Sequence, residues 1–181
     1  MTPILDHLRI TFKTYGIDHF GIETTSRCNL NCLMCPRAEA GMPEVDLPFE
    51  VFGTLCGLIP PGSLVDLNGW GGPLLPSRLI DMVRLPKAQG SFAGFSTNAQ
   101  LLTDARIEGL LESGVDYIAF SIDGADEESY ITVRGSSFDR ACSTIRRCVE
   151  LRGGNTDPQL SLTFVMLKEN ISQVLDMVRL A

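Results

Sequence analysis

Three cysteines fall within eight residues, Cys28-Asn29-Leu30-Asn31-Cys32-Leu33-Met34-Cys35, and Pro36 follows. Core cysteines do not usually bunch in a polar loop beside Asn29 and Asn31, so the spacing points to a shared task. Thiolates spaced C-x3-C-x2-C can converge on one inorganic centre. A structural zinc takes four ligands, usually as two separated pairs. No second pair lies close here: His19 precedes the loop and Cys56 lies well beyond it. Electron carriers hold a [4Fe–4S] cluster with four cysteines. A cluster on Cys28, Cys32 and Cys35 alone would leave one iron open to a substrate or cofactor. Zinc held by the three thiols and His19, in a domain that binds without catalysing, is the alternative. The remaining cysteines, Cys56, Cys142 and Cys148, are scattered through expected helices as small buried hydrophobes.

The elements that must position this loop alternate in type. His19 to Thr25 runs into the cysteines and reads as a first strand. Further strands are expected at Ser63–Asn68, Ser91–Thr97, Val115–Ile122 and Gln159–Met166. Helical spacing marks 49–58 and 77–85, the latter cut by Pro86. Other helices are expected at 104–113, opened by Thr103 or Asp104 and closed by Gly114, and at 138–151, with a last one capped by Asn170. Units of about 30 residues are the usual length of a βαβ crossover. Five of them in series imply a parallel sheet, as an open doubly wound sheet or a partial barrel. Nearly all the unusual residues sit at the carboxyl ends of strands: the cysteines after the first, Gly71-Gly72 after the second, Thr97-Asn98 at the third, Ser121 with Asp123 at the fourth, and Val165-Met166 ending the fifth. In parallel α/β folds that carboxyl rim is where ligands bind.

With these segments in order, the chain resembles the radical S-adenosylmethionine (SAM) superfamily, in the subgroup of SPASM-type peptide-modifying enzymes and molybdenum-cofactor-type cyclases. The C-x3-C-x2-C loop carries the resemblance first. Gly69-Trp70-Gly71-Gly72-Pro73-Leu74-Leu75 is similar to the family's G-x-G-E-P-L-L, and Ser96-Thr97-Asn98-Ala99-Gln100-Leu101-Leu102 to S-T-N-G-x-L-L. Ser121-Ile122-Asp123-Gly124, Tyr130, Arg134-Gly135 and Ser137-Phe138-Asp139 resemble the fourth unit. The resemblance implies an α/β fold, a partial (β/α) barrel of parallel strands with about five βα units present, and a single radical SAM core domain over 1–181 that is incomplete at its C-terminus. It also implies a [4Fe–4S] cluster on Cys28, Cys32 and Cys35 that reductively cleaves SAM to a 5′-deoxyadenosyl radical, which abstracts hydrogen from a substrate. The family accepts the SAM amino group at Gly71 and Gly72, but its glutamate is replaced here by Gly72. Arg134 is expected to pair with the SAM carboxylate and Ser121 to hydrogen-bond it or the ribose. Asn98 faces SAM or caps its turn, while Met34 and Val165 pack near the adenine. A degenerate member that holds the cluster without cleaving SAM stays open because of Gly72.

A net charge of -7 argues against a general nucleic-acid binder. No apolar run is long enough to span a bilayer. Met1 to Ile10 carries Asp6, His7 and Arg9 and lacks the apolar core of an export signal, so a cytoplasmic location is expected. The expected partners are a small-molecule or peptide substrate and an electron donor such as flavodoxin or ferredoxin.

Overall fold

The computed structural model describes residues 16–37 and 39–181; the N-terminal reading above lies outside them. Five parallel strands pair in the order of the chain: β1 (His19–Gly21), β2 (Leu64–Asp66), β3 (Phe92–Thr97), β4 (Tyr117–Ser121) and β5 (Gln159–Thr163). Their register aligns Gly21, Asp66, Gly94, Tyr117 and Gln159 in one row across the sheet. The sheet stays open, as an α/β partial barrel. Connections run through α1 (Phe49–Cys56), α2 (Leu79–Ala88), α3 (Asp104–Glu112), α4 (Glu127–Arg134) and α5 (Phe138–Arg152). A 3-10 turn (Ile171–Gln173) and α6 (Val174–Leu180) follow β5.

The two faces of the sheet differ because side chains alternate along each strand. Val65, Leu67, Ala93, Phe95, Ile118, Phe120 and Ile122 point to the helices and are buried with Phe52, Met82 and Val83. The opposite face carries Asp66, Asn68, Ser96, Tyr117 and Ser121. They join one another there: Tyr117 donates its hydroxyl proton to Asp66 Oδ1, and Asn68 Nδ2 donates to Ser96 Oγ at 3.2 Å. Gly94 makes this possible, since a Cβ there would overlap the Tyr117 ring. Helices on one face and hydrogen-bonding groups on the other turn the sheet into one wall of a polar hollow.

Three expectations need correction. Pro86 does not end its helix: α2 continues to Ala88, because a proline in the last turn forfeits one backbone bond and its buried ring packs in the core. The helix α4 was not foreseen. The β-branched stretch Ile131-Thr132-Val133 masks it, but Asp126 caps it by accepting from Ser129 N, and Gly135 closes it at φ +67°. Asn170 precedes the 3-10 turn without capping it by a side-chain bond. Fully buried, it donates to the carbonyls of Asp123 (3.0 Å) and Val165 (2.9 Å) and accepts from Leu167 N (2.7 Å).

Candidate functional site

The loop after β1 lies across the carboxyl rim and is fastened on three sides. Towards the following segment, Thr25 donates to Asp46 Oδ1 at 2.6 Å, and Arg27 Nε donates to the same oxygen at 2.9 Å. Towards the glycine segment after β2, Gly72 N donates to the Arg27 carbonyl at 2.7 Å. Towards α4, Leu33 N donates to the Val133 carbonyl at 2.9 Å. Asn98, at the end of β3, adds a side-chain tie of 3.0 Å from Nδ2 to Asn29 Oδ1, while its Oδ1 accepts from Gln100 N at 3.1 Å. Asn98 therefore closes its own turn and holds the cysteine loop at once.

Beneath the loop opens a cavity of about 380 Å³. Cys28, Cys32 and Cys35 line it, with Met34 from the same loop, Gly71 and Gly72 after β2, Asn98 after β3, Ser121 at the end of β4, and Arg134 at the end of α4. Asn68 and Ser96 carry its wall into the polar face of the sheet. Hollows of similar or larger size lie beside Cys56 and Pro60, and beside Leu160 and Leu180, but neither gathers a comparable set of polar and sulfur groups. Val165 is the exception among the expected residues. It does not line the cavity and stands 45% exposed, with its backbone N–H donating to Asp123 Oδ1 at 2.7 Å.

The glycine segment is shaped by close approach. A Cβ on Gly71 would collide with the carbonyl oxygens of Thr25 and Arg27, so backbone passes backbone where no side chain fits. Glu23, which the sequence reading missed, supports that approach from just beyond β1: its Oε1 accepts from Trp70 N (2.5 Å) and Gly71 N (3.3 Å). A lone acid in the apolar run Phe20-Gly21-Ile22 was its signal.

Arg134 lines the cavity and makes two contacts there. Its Nη2 lies 2.5 Å from Oδ2 of Asp123, which is fully buried, and its Nη1 donates to Cys32 Sγ at 3.6 Å. The Asp123 contact is an ion pair off the hydrogen-bond line: Oδ2 of Asp123 and Nε of Arg134 are buried with no hydrogen-bond partner among the described residues. Burial pushes the Cys32 thiol pKa up, and the Arg134 charge and hydrogen bond oppose that shift. Burial drives the Cys56 thiol up to about 12, and burial together with the negative charge of Asp104 does the same for Cys148, which leaves both inert, as buried hydrophobes should be.

The donor set suits an iron–sulfur cluster better than a single ion. Among the described residues, no three Cys, His, Asp or Glu side chains converge closely enough to hold one metal. A mononuclear zinc needs sulfurs drawn to ~2.3 Å from a common point. A cluster offers each thiolate its own iron, so three thiols that line one cavity need not meet at a single atom. His19, the fourth ligand of the zinc alternative, instead lies 3.8 Å from Asp66.

Comparison with known proteins agrees with this geometry. The profile of the radical SAM superfamily matches residues 22–181. A tungsten-containing aldehyde ferredoxin oxidoreductase cofactor-modifying protein of Pyrococcus furiosus is 32% identical over 164 residues, 87% of this chain and 46% of that protein. A GTP 3′,8-cyclase of Chlorobaculum tepidum is 28% identical over 135 residues, 72% of this chain and 41% of the cyclase. Among solved structures, Streptococcus suis SuiB bound to S-adenosylmethionine shares the fold at a TM-score of 0.75 and 18% identity, over 94% of this chain and 40% of SuiB. The chain thus spans less than half the length of these relatives.

Proposed function

We propose a reaction class from one premise: the chain belongs to the radical SAM superfamily. Cys28, Cys32 and Cys35 are the residues that would hold a [4Fe–4S] cluster, with SAM beside them in the cavity they line. Bound there, they would supply reductive cleavage of the sulfonium for hydrogen abstraction from a substrate. What remains for the protein is to bind, orient and exclude water.

The chain's own groups divide that work. Gly71 and Gly72 line the cavity without side chains, so that backbone carbonyls accept from the SAM amino group in place of the missing carboxylate. The Ser121 hydroxyl offers a hydrogen bond to the SAM carboxylate or ribose, and Asn98 fixes the cysteine loop while facing the same space. Met34 packs against the adenine through its polarizable thioether; Val165 is placed there only if the loop after β5 folds inward. The polar face of the sheet, with Asp66, Asn68 and Ser96, lies directly beneath and favours a polar substrate, a small molecule or a peptide. Electrons come from a low-potential one-electron carrier of the flavodoxin or ferredoxin type. No described helix is long and apolar enough to cross a membrane.

One observation carries this reading: three thiols open into a single cavity also walled by Gly71, Gly72, Asn98 and Ser121. Anaerobic reconstitution with iron and sulfide, followed by a strong reductant and SAM, should yield 5′-deoxyadenosine. A full cluster without that product would favour the degenerate reading, to which the loss of the carboxylate at Gly72 gives substance. A colourless protein holding one zinc would overturn both.

A further inference from the structure

We propose that Arg134 is a positioning residue for the cluster, holding a positive charge on the sulfur of Cys32 and so raising the cluster's reduction potential. This rests on the cluster reading above and adds to it a role for one side chain.

The placement is built from both ends. Leu33 N donates to the Val133 carbonyl, so the residue after Cys32 is pinned to the residue before Arg134. The register of sulfur and guanidinium is thereby fixed through backbone. From the other side, Asp123 anchors the guanidinium. Asp123 is fully buried, and its second oxygen is committed to Val165 N. A buried carboxylate needs a compensating charge, and Arg134 is the cation that reaches it. With Nη2 drawn to Asp123 and Nη1 to Cys32, these two contacts orient the guanidinium and hold its charge against the sulfur.

The consequence is electrostatic. One-electron reduction adds negative charge to the cluster, and part of that charge resides on its sulfur ligands. A cationic donor at one ligand stabilises the reduced form more than the oxidised form.

The test is an EPR-monitored redox titration of the reconstituted protein without SAM, comparing wild type with Arg134→Gln and Arg134→Lys. At a fixed potential near the wild-type midpoint, Arg134→Gln should lower the ratio of reduced to oxidised cluster about tenfold, equivalent to 59 mV for one electron. Arg134→Lys keeps the charge without the fork and should fall between. If the glutamine variant takes up no cluster, the lysine variant decides, and its midpoint must lie below wild type. Unchanged midpoints would overturn the proposal, as would a variant that keeps its potential and loses only SAM affinity. Wild-type protein that takes up no cluster would instead sink the underlying reading, and this inference with it.

Discussion

Gly71 and Gly72 stand side by side for opposite reasons. At Gly71 a side chain is impossible, because the Thr25 carbonyl occupies its space. At Gly72 one is merely missing: a Cβ would meet Asn29 Oδ1 at 3.5 Å and Cys28 Sγ at 3.6 Å, ordinary contacts. Gly71→Ala should therefore push the glycine segment off the cysteine loop, and reconstituted protein should show reduced iron content and a lowered Tm. Gly72→Glu should fold normally and supply the carboxylate that the family places there. A charge-assisted hydrogen bond to the SAM amino group is worth about 1.5–3 kcal/mol. SAM affinity, followed by calorimetry on the reconstituted protein, should accordingly rise about tenfold or more. The glycines were legible as punctuation in the sequence. Their difference was not, because it depends on which backbone passes within contact distance.

At the scale of elements, the strand ends carry the account. The alternation of apolar and polar residues placed all five strands and the rim on which the site gathers. It missed α4, whose β-branched residues argue locally for a strand while Asp126 and Gly135 set its ends. It also missed the links from Glu23 to the glycine segment and from Arg134 to Asp123. The first spans 47 residues to Trp70, and no local periodicity reports a contact of that range. The turn after β3 offers a test of its own. Ala99 is fully buried at φ +62°, where the family's motif has glycine. A left-handed conformation costs a non-glycine residue roughly 1–2 kcal/mol. Ala99→Gly should relieve that strain and stabilise the protein by about 1 kcal/mol in denaturant melts, less the entropy that glycine adds to the unfolded chain.

Across the whole molecule, one curved sheet separates an apolar side that supplies stability from a polar side that supplies function. The ties between the cysteine loop and the rest are partly ionic, and this makes them sensitive to acid. The hydrogen bond from Arg27 holds the Asp46 carboxyl below its ordinary range, against an opposing push from burial. A lowered folded-state pKa contributes stability fully above the unfolded value of about 3.9 and loses it as pH falls through that value towards the folded one. The loop should thus hold at neutral pH and loosen below about pH 4. Thermal melts through this range should show a drop in Tm that Asp46→Asn reduces. The central claim is that three cysteines hold a cubane and leave one iron for SAM. Mössbauer spectroscopy of protein reconstituted anaerobically with iron-57 tests it most directly. On adding SAM, one iron of the four should separate from the rest in isomer shift, and alanine at Cys28, Cys32 or Cys35 should abolish the cubane. Four irons that stay equivalent in the presence of SAM, or a cubane that survives loss of any one of these thiols, would contradict it.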